Sequence, residues 1–255
     1  MEFAKAVSIV FEGQSVSGRE IEALNSVKMK ILKECEDTVR KRSLTGSSFI
    51  SSDRVECKSD TCGTSLEKIA SDLEDISRLE SDELKLNIEQ VNVKTLIFEC
   101  MEKLHELAEE KELTLTVHLD SQQLKVYGDF ERLQQALSHI LCNAVNFVPK
   151  GGAIEVLVKG LPQEVMISVV DNGIGISPSR QKKIFQRFRD AEEHPEIEGH
   201  GLGIGLNLVE HLIKLHSGKV WVESQEKQGS RFSFCIPRQM LCNYLKPKKI
   251  KPLFS

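Results

Sequence analysis

Asp171-Asn172-Gly173-Ile174-Gly175, followed further along by Gly199-His200-Gly201-Leu202-Gly203-Ile204-Gly205-Leu206, decides how this chain is read. The first stretch closes a largely apolar run, Val165 to Val170, with the period and length of a strand. The second opens an apolar helical pattern over Leu206 to His216. An acid and two glycines at a strand end, together with a glycine-rich helix entry, are what a nucleotide pocket needs. Each half alone stays ambiguous. Asp-Asn-Gly also makes an ordinary turn, and glycines before a helix are as often structural as functional.

Asp171 would supply the hydrogen-bond acceptor that a purine amine requires at the pocket floor. Gly173 and Gly175 remove side chains where backbone passes close to base and sugar. Gly199, Gly201, Gly203 and Gly205, with Leu206 at the helix start, leave backbone N–H groups free to meet phosphate oxygens at the positive end of the helix dipole. Between the clusters, Phe185-Gln186-Arg187-Phe188 and the polar run Arg189 to Glu198 read as a cover over bound nucleotide. Arg187 or Arg189 would touch phosphate there, an exposed loop with solvated charges being the alternative. Upstream, Asn143 falls on the helical stretch Phe130 to Phe147, where its amide oxygen can join the oxygen shell of a magnesium ion bridging the phosphates. A mid-helix asparagine with structural bonds only is the competing account.

Outward from these motifs, the periodicity predicts a helix from Val93 to Lys111, a strand over Leu113 to Leu119, and strands at Ala153 to Lys159 and Glu164 to Val170. Gly218 stops the helix after His216, and two more strands follow at Lys219 to Ser224 and Gly229 to Ile236. This order predicts an α+β fold with one mixed sheet covered by helices on one face. Before it, residues 19 to 44 and the pattern Leu66, Ile69, Leu73, Ile76, Leu79 read as two helices of a hairpin, joined by a loop from Thr45 to Thr64. Neither stripe is apolar enough to stand alone, so the hairpin is expected to pair with a second copy or with the following domain.

The 255 residues suit a full domain plus a smaller module, and the formal net charge of -4 lacks the basic surplus of nucleic-acid binding. The apolar run Ala6 to Phe11 is too short to span a bilayer and follows no basic leader, so no membrane or export segment is expected. Seven widely spaced cysteines without a C-x-x-C pair predict reduced thiols in a cytoplasmic setting, and neither a disulfide framework nor a zinc site. The tail Lys246-Pro247-Lys248-Lys249-Ile250-Lys251-Pro252 reads as a solvated end, a basic docking tail being the alternative.

From Leu79 to Pro237 the chain resembles the catalytic part of a sensor histidine kinase, whose ATP-binding domain is shared with the gyrase, heat-shock chaperone and mismatch-repair ATPases. Asp129 to Gly152 is similar to the asparagine box, with Arg132-Leu133, Gln135, Asn143-Ala144, Phe147, Pro149 and Gly151-Gly152 in step. Phe185 to Phe188 resembles the phenylalanine box, and His216-Ser217-Gly218, Trp221-Val222-Glu223-Ser224 and Gly229-Ser230 the closing strands. Asp75-Ile76-Ser77-Arg78-Leu79-Glu80 resembles the end of the dimerisation hairpin. The resemblance implies a two-layer α/β sandwich of the Bergerat type, divided as residues 1–17, a hairpin at 18–84, the ATP-binding domain at 85–238 and the tail at 239–255. It further implies ATP and Mg2+ as cofactors, a homodimer, and a response regulator or other protein as phosphoacceptor in a two-component pathway.

Three departures from that pattern shape the functional expectation. No histidine precedes His105, although the acceptor histidine of the family belongs on the first hairpin helix. His139 stands where these kinases usually carry another asparagine, and Asn146 where they carry a lysine or similar phosphate-contacting residue. In the ATP-hydrolysing relatives the position of His139 holds a glutamate base, and an imidazole there is able to take up a proton. The expectations are therefore a kinase whose acceptor lies on another protein, a pseudokinase that binds ATP without transfer, or an ATPase; His139 is either the general base of phosphotransfer or hydrolysis or a polar helix residue in a degenerate site.

Overall fold

The computed structural model describes residues 71–72, 74–76, 78–79, 84–120, 124–186 and 203–239. The expectations for segment 1–17, the first hairpin helix and its loop, Arg187, Arg189, Gly199, Gly201 and the basic tail lie outside the described residues. The chain divides into two units, Lys85–Gln181 with Val209–Ser255 and Met1–Leu84 with Lys182–Leu208.

The first unit contains β1 (Glu89–Asn92), α1 (Val93–Glu110), β2 (Thr114–Leu119), β3 (Lys125–Gly128), α2 (Phe130–Phe147), β4 (Ala153–Gly160), β5 (Glu164–Asp171) and α3 (Pro178–Gln181). Helix α4 (Gly205–Leu215) runs across the division between the units and leads into β6 (Lys219–Gln225) and β7 (Gly229–Pro237). Both long helices begin at side-chain caps. The Asn92 carboxamide oxygen accepts from the Lys94 N–H at 3.0 Å, and an Asp129 carboxylate oxygen accepts from the Arg132 N–H at 3.1 Å. Helix α2 ends where Val148, at ψ 132°, takes the extended conformation that a following proline demands.

The five-stranded sheet has the order β2-β4-β5-β7-β6, with β2 parallel to β4 and every other neighbour antiparallel. Strand registers stack Val158 beside Ile167 and Phe234, and Val156 beside Val169 and Phe232, so one face carries continuous apolar rows, all buried. Buried stripes of α1 (Leu96, Ile97, Cys100, Leu104) and α2 (Leu133, Leu137, Ile140, Leu141) supply the second layer. Each such side chain contributes about 1.5–3 kcal/mol on leaving water. In mid-sheet, Ser168 and Ser233, both fully buried, satisfy each other across β5 and β7 at 2.8 Å.

The two-layer α+β architecture matches the expectation, and α2 has the expected bounds. The short antiparallel ribbon of β1 with β3, and the single turn α3, were not among the expected elements. Cys100 and Cys235 are buried free thiols, and burial pushes the Cys100 thiol up to about 11. Cys142 is disulfide-bonded, which departs from the expectation of reduced thiols throughout.

Buried His216, just beyond α4, joins helix ends within the same unit. Its Nε2 accepts from the Asp129 N–H at 3.0 Å, and its Nδ1 lies 2.7 Å from the Leu212 carbonyl oxygen, so the tautomer consistent with both bonds carries the proton on Nδ1. Asp129 in turn accepts from the Asn87 N–H at 2.8 Å.

In the second unit, Ser71, Asp72, Glu74, Asp75, Ile76, Arg78 and Leu79 are helical, where the second hairpin helix was expected. Ile76 is buried, and Arg78 pairs with Glu74 one turn earlier. Further along, the Asn207 amide donates to the Phe185 carbonyl at 2.9 Å, and Ile204 and Leu206 are buried at the entry to α4.

Candidate nucleotide site

Strand parity decides the position of Asp171. The odd-numbered residues of β5 (Val165, Ile167, Val169) face the helices, and Asp171 ends the same row, 7% exposed. One carboxylate oxygen accepts from the Gly173 N–H at 2.8 Å, and the Ser230 N–H also bonds the carboxylate, Ser230 being its direct partner on β7. Burial raises the carboxyl above the usual range, against the opposing pull of these two N–H groups. A carboxylate stripped of water at a strand end gains from a ligand that brings a donor, and an exocyclic amine is one.

The turn after Asp171 is pressed against its surroundings. Gly175 has φ 69°, and a Cβ there would collide with the Gln225 carbonyl oxygen. A Cβ at Gly173 would stand 2.6 Å from the Phe147 carbonyl oxygen. That oxygen accepts from the Ile174 N–H at 3.4 Å, which seats the turn on the last residue of α2. Asn172 faces away, its side-chain oxygen accepting from the Ala153 N–H at 2.8 Å at the start of β4. On the far side, the Ser224 hydroxyl oxygen accepts from the Ile176 N–H at 2.8 Å, and the Gln181 amide donates to the Ile176 and Ser224 carbonyls, both at 2.7 Å.

Along α2, His139, Asn143, Asn146 and Phe147 recur at helical spacing and so share one side, which ends at the Asp171–Gly175 turn. His139 is buried, while Asn143 and Asn146 are half-buried. Among the described residues no side-chain hydrogen bond engages the Asn143 carboxamide, which leaves its oxygen available to a ligand cation. An amide oxygen is a hard donor of the kind Mg2+ accepts, so Asn143 is the residue here that would hold the ion.

Asp171, Gly173, Gly175, His139, Asn143 and Asn146 therefore lie in one unit, where the 171–175 turn meets the end of α2 at the Phe147 carbonyl. Gly203, with φ 66°, Gly205 as the first residue of α4, and Leu206, buried, are described with the other unit. The Ser230 N–H, Gly229 against the Asp171 carbonyl, Asn172, Ser224 and Gln181 support the turn without having been singled out as site residues. The Gly229-Ser230 pair was visible in the sequence, but only strand register shows that it lies beside Asp171.

Residues 128–240 match the family described as histidine kinase-, DNA gyrase B-, and HSP90-like ATPase. The chain is 33% identical over 171 residues to the adaptive-response sensory kinase SasA of Thermosynechococcus vestitus, a match covering 67% of this chain and 44% of that protein. It therefore spans under half the length of this curated relative. Its fold is similar to the nucleotide-free catalytic domain of histidine kinase ThkA, with a TM-score of 0.53 and 27% identity over 60% of this chain and 98% of that one. It is similar also to full-length ShkA solved with AMPPNP, with a TM-score of 0.60 and 26% identity over 68% of this chain and 36% of that one. By motif, register and fold together, residues 128–240 belong to the histidine kinase-, DNA gyrase B- and HSP90-like ATPase family, and the relatives of this chain within it are sensory histidine kinases.

Proposed function

We propose that this chain is a kinase of the histidine kinase type that binds ATP with Mg2+ and transfers its terminal phosphoryl group to an acceptor on another protein, such as a response regulator. The observation that carries this reading is the desolvated Asp171 carboxylate at the end of β5, one turn of backbone away from the asparagine face of α2. Asp171 takes the adenine amine, Gly173 and Gly175 admit base and sugar, and Asn143 holds magnesium, with Asn146 beside the phosphates. Gly199, Gly201, Gly203, Gly205 and Leu206 would meet the phosphates through backbone N–H groups, and Arg187 would add a charge, as the family resemblance implies. Magnesium, when bound, neutralises charge on the phosphate oxygens.

In the transfer, an acceptor atom forms a bond to the γ-phosphorus as the bond to the β,γ-bridging oxygen breaks and ADP departs. Where the acceptor is a hydroxyl, His139 takes its proton, one helical turn before Asn143. The hairpin at 18–84 mediates a homodimer, the domain at 85–238 binds nucleotide, and the protein works in the cytoplasm within a two-component pathway. No helix among the described residues is long and apolar enough to cross a membrane.

A second reading, a pseudokinase whose ATP-bound state signals by shifting a conformational equilibrium, is favoured by one observation: no histidine occurs before His105 to serve as acceptor. Incubation with γ-labelled ATP and Mg2+, alone and with candidate partners, separates the two. Label on a partner that Asn143→Ala abolishes supports the kinase, and its acid stability distinguishes hydroxyl from histidine phosphate. Tight ATP binding with no transfer overturns the kinase in favour of the pseudokinase.

A further inference from the structure

The C-terminal end of α2 poses a hydrogen-bonding problem. A helix leaves its last four carbonyls without intrahelical donors. Here those belong to Ala144, Val145, Asn146 and Phe147. Ala144 receives the Val148 N–H at 3.0 Å, and Phe147 receives the Ile174 N–H at 3.4 Å. Were the helix to continue, Val145 would need the N–H of residue 149, which is a proline and has none. The missing donor comes from elsewhere in the chain: the Lys111 ammonium donates to the Val145 carbonyl at 2.8 Å and to the Asn146 carbonyl at 3.4 Å.

Lys111 is well anchored for this task. It is the C-cap of α1, its own N–H donating to the Leu107 carbonyl at 3.2 Å, and its carbonyl accepts from the Gly151 N–H at 2.9 Å. It therefore grips the turn between α2 and β4 from both sides, by side chain at Val145 and Asn146 and by backbone at Gly151. An ammonium at a helix C-terminus is also favoured by the helix dipole. The last helical turn of α2, which the Lys111 side chain secures, runs from Asn143 to Phe147, whose carbonyl seats the Asp171–Gly175 turn.

Resting on the nucleotide-binding reading above, we infer that Lys111 is a positioning residue for the phosphate and magnesium end of the site. By completing the carbonyl set of α2 in place of the donor that Pro149 lacks, it keeps the last turn helical and so holds Asn143 and Asn146 at a set height above Asp171. The Lys111 side chain acts through these two carbonyls. Adenine recognition does not depend on it, because the Gly173 and Ser230 N–H groups fix Asp171 from within the sheet.

The test compares the unmodified protein with Lys111→Met and Lys111→Arg in the full chain. Titrations with Mg·ATP and with adenosine alone are paired with the side-chain amide signals of Asn143, recorded by NMR without nucleotide. Lys111→Met is expected to weaken Mg·ATP by about tenfold, as loss of a group that orients a metal ligand does. Adenosine binding stays unchanged and the Asn143 amide signals move. Lys111→Arg, which keeps donors at the carbonyls, restores both. Unchanged Mg·ATP affinity in Lys111→Met overturns the inference, as does an equal loss for adenosine, which marks a general loss of structure. If the unmodified protein binds neither ligand, the functional reading fails instead. The Asn143 signals then decide the positioning role alone, and their failure to move in Lys111→Met overturns it.

Discussion

The two ends of the proposed site are built in opposite ways. At the adenine end, Asp171 is part of the sheet: β4 and β7 flank it in register, two backbone N–H groups hold its carboxylate, and burial disfavours its charge. At the phosphate end, Asn143 projects from a helix face with no side-chain hydrogen bond among the described residues, and the turn beyond it relies on donors from Lys111 and Ile174. Rigidity at the first end comes from the ladder, and at the second from capping. The contrast separates residues whose loss spares the fold from residues whose loss releases it.

The largest effect expected is on ligand binding at Asp171. Asp171→Asn should weaken ATP about 100-fold, the scale of roughly 3 kcal/mol for a hydrogen bond to a charged group in a dry site. It should leave the melting temperature unchanged or higher. The folded-state pKa is raised, so the ionised carboxylate costs stability at neutral pH, and the amide removes that cost. A calorimetric titration beside a melting curve reads both, and a lower melting temperature would show the charge to be structural.

Gly175→Ala should act on the fold instead, by about 2 kcal/mol or more, since alanine strains at φ 69° and its Cβ collides with the Gln225 carbonyl. Urea unfolding measures it, and a loss under about 0.5 kcal/mol would mean that the turn relaxes. Asn143→Ala should weaken Mg·ATP by about tenfold with unfolding unchanged, and the loss should vanish when adenosine is titrated without magnesium.

The smallest effect expected is a pH dependence at His216. Burial lowers its pKa from 6.5, against the opposing influence of the Leu212 carbonyl and Asp129. The unfolded chain thus takes up a proton below 6.5 that the folded chain refuses until lower pH. Stability contributed by neutral His216 is complete above that pH and declines as pH falls through the window beneath it. Urea midpoints measured downward from neutral pH should fall, and His216→Gln should flatten the slope.

Much of this was legible in the chain itself. Helix α2 announced its bounds, because Asp129 is a capping residue, Val148-Pro149 a stop, and the stripe between them unbroken. The strands of the large sheet were legible because β2 and β4 repeat their alternation several times and the others are long runs rich in apolar residues bounded by turn residues. The ribbon of β1 and β3 was not, since four residues with Val91 buried in one strand and Val126 and Gly128 buried in the other offer no period to detect. The bond from Lys111 to Val145 was equally hidden: it joins residues 34 positions apart, and neither position has a pattern that points to the other.

By itself, the sequence determined which residue types were available and where local backbone had to bend. The acid and glycines of 171–175, the caps of α1 and α2, and the missing N–H of Pro149 are local properties, set by side-chain chemistry and backbone sterics. Only the tertiary structure decided that Asp171 would face the helices, that the Ser230 N–H would lie beside its carboxylate, and that Lys111 would complete the end of α2. Register and helix packing bring together groups far apart in the chain, and the unpaired donors and acceptors left by local structure become satisfied or functional only once they meet.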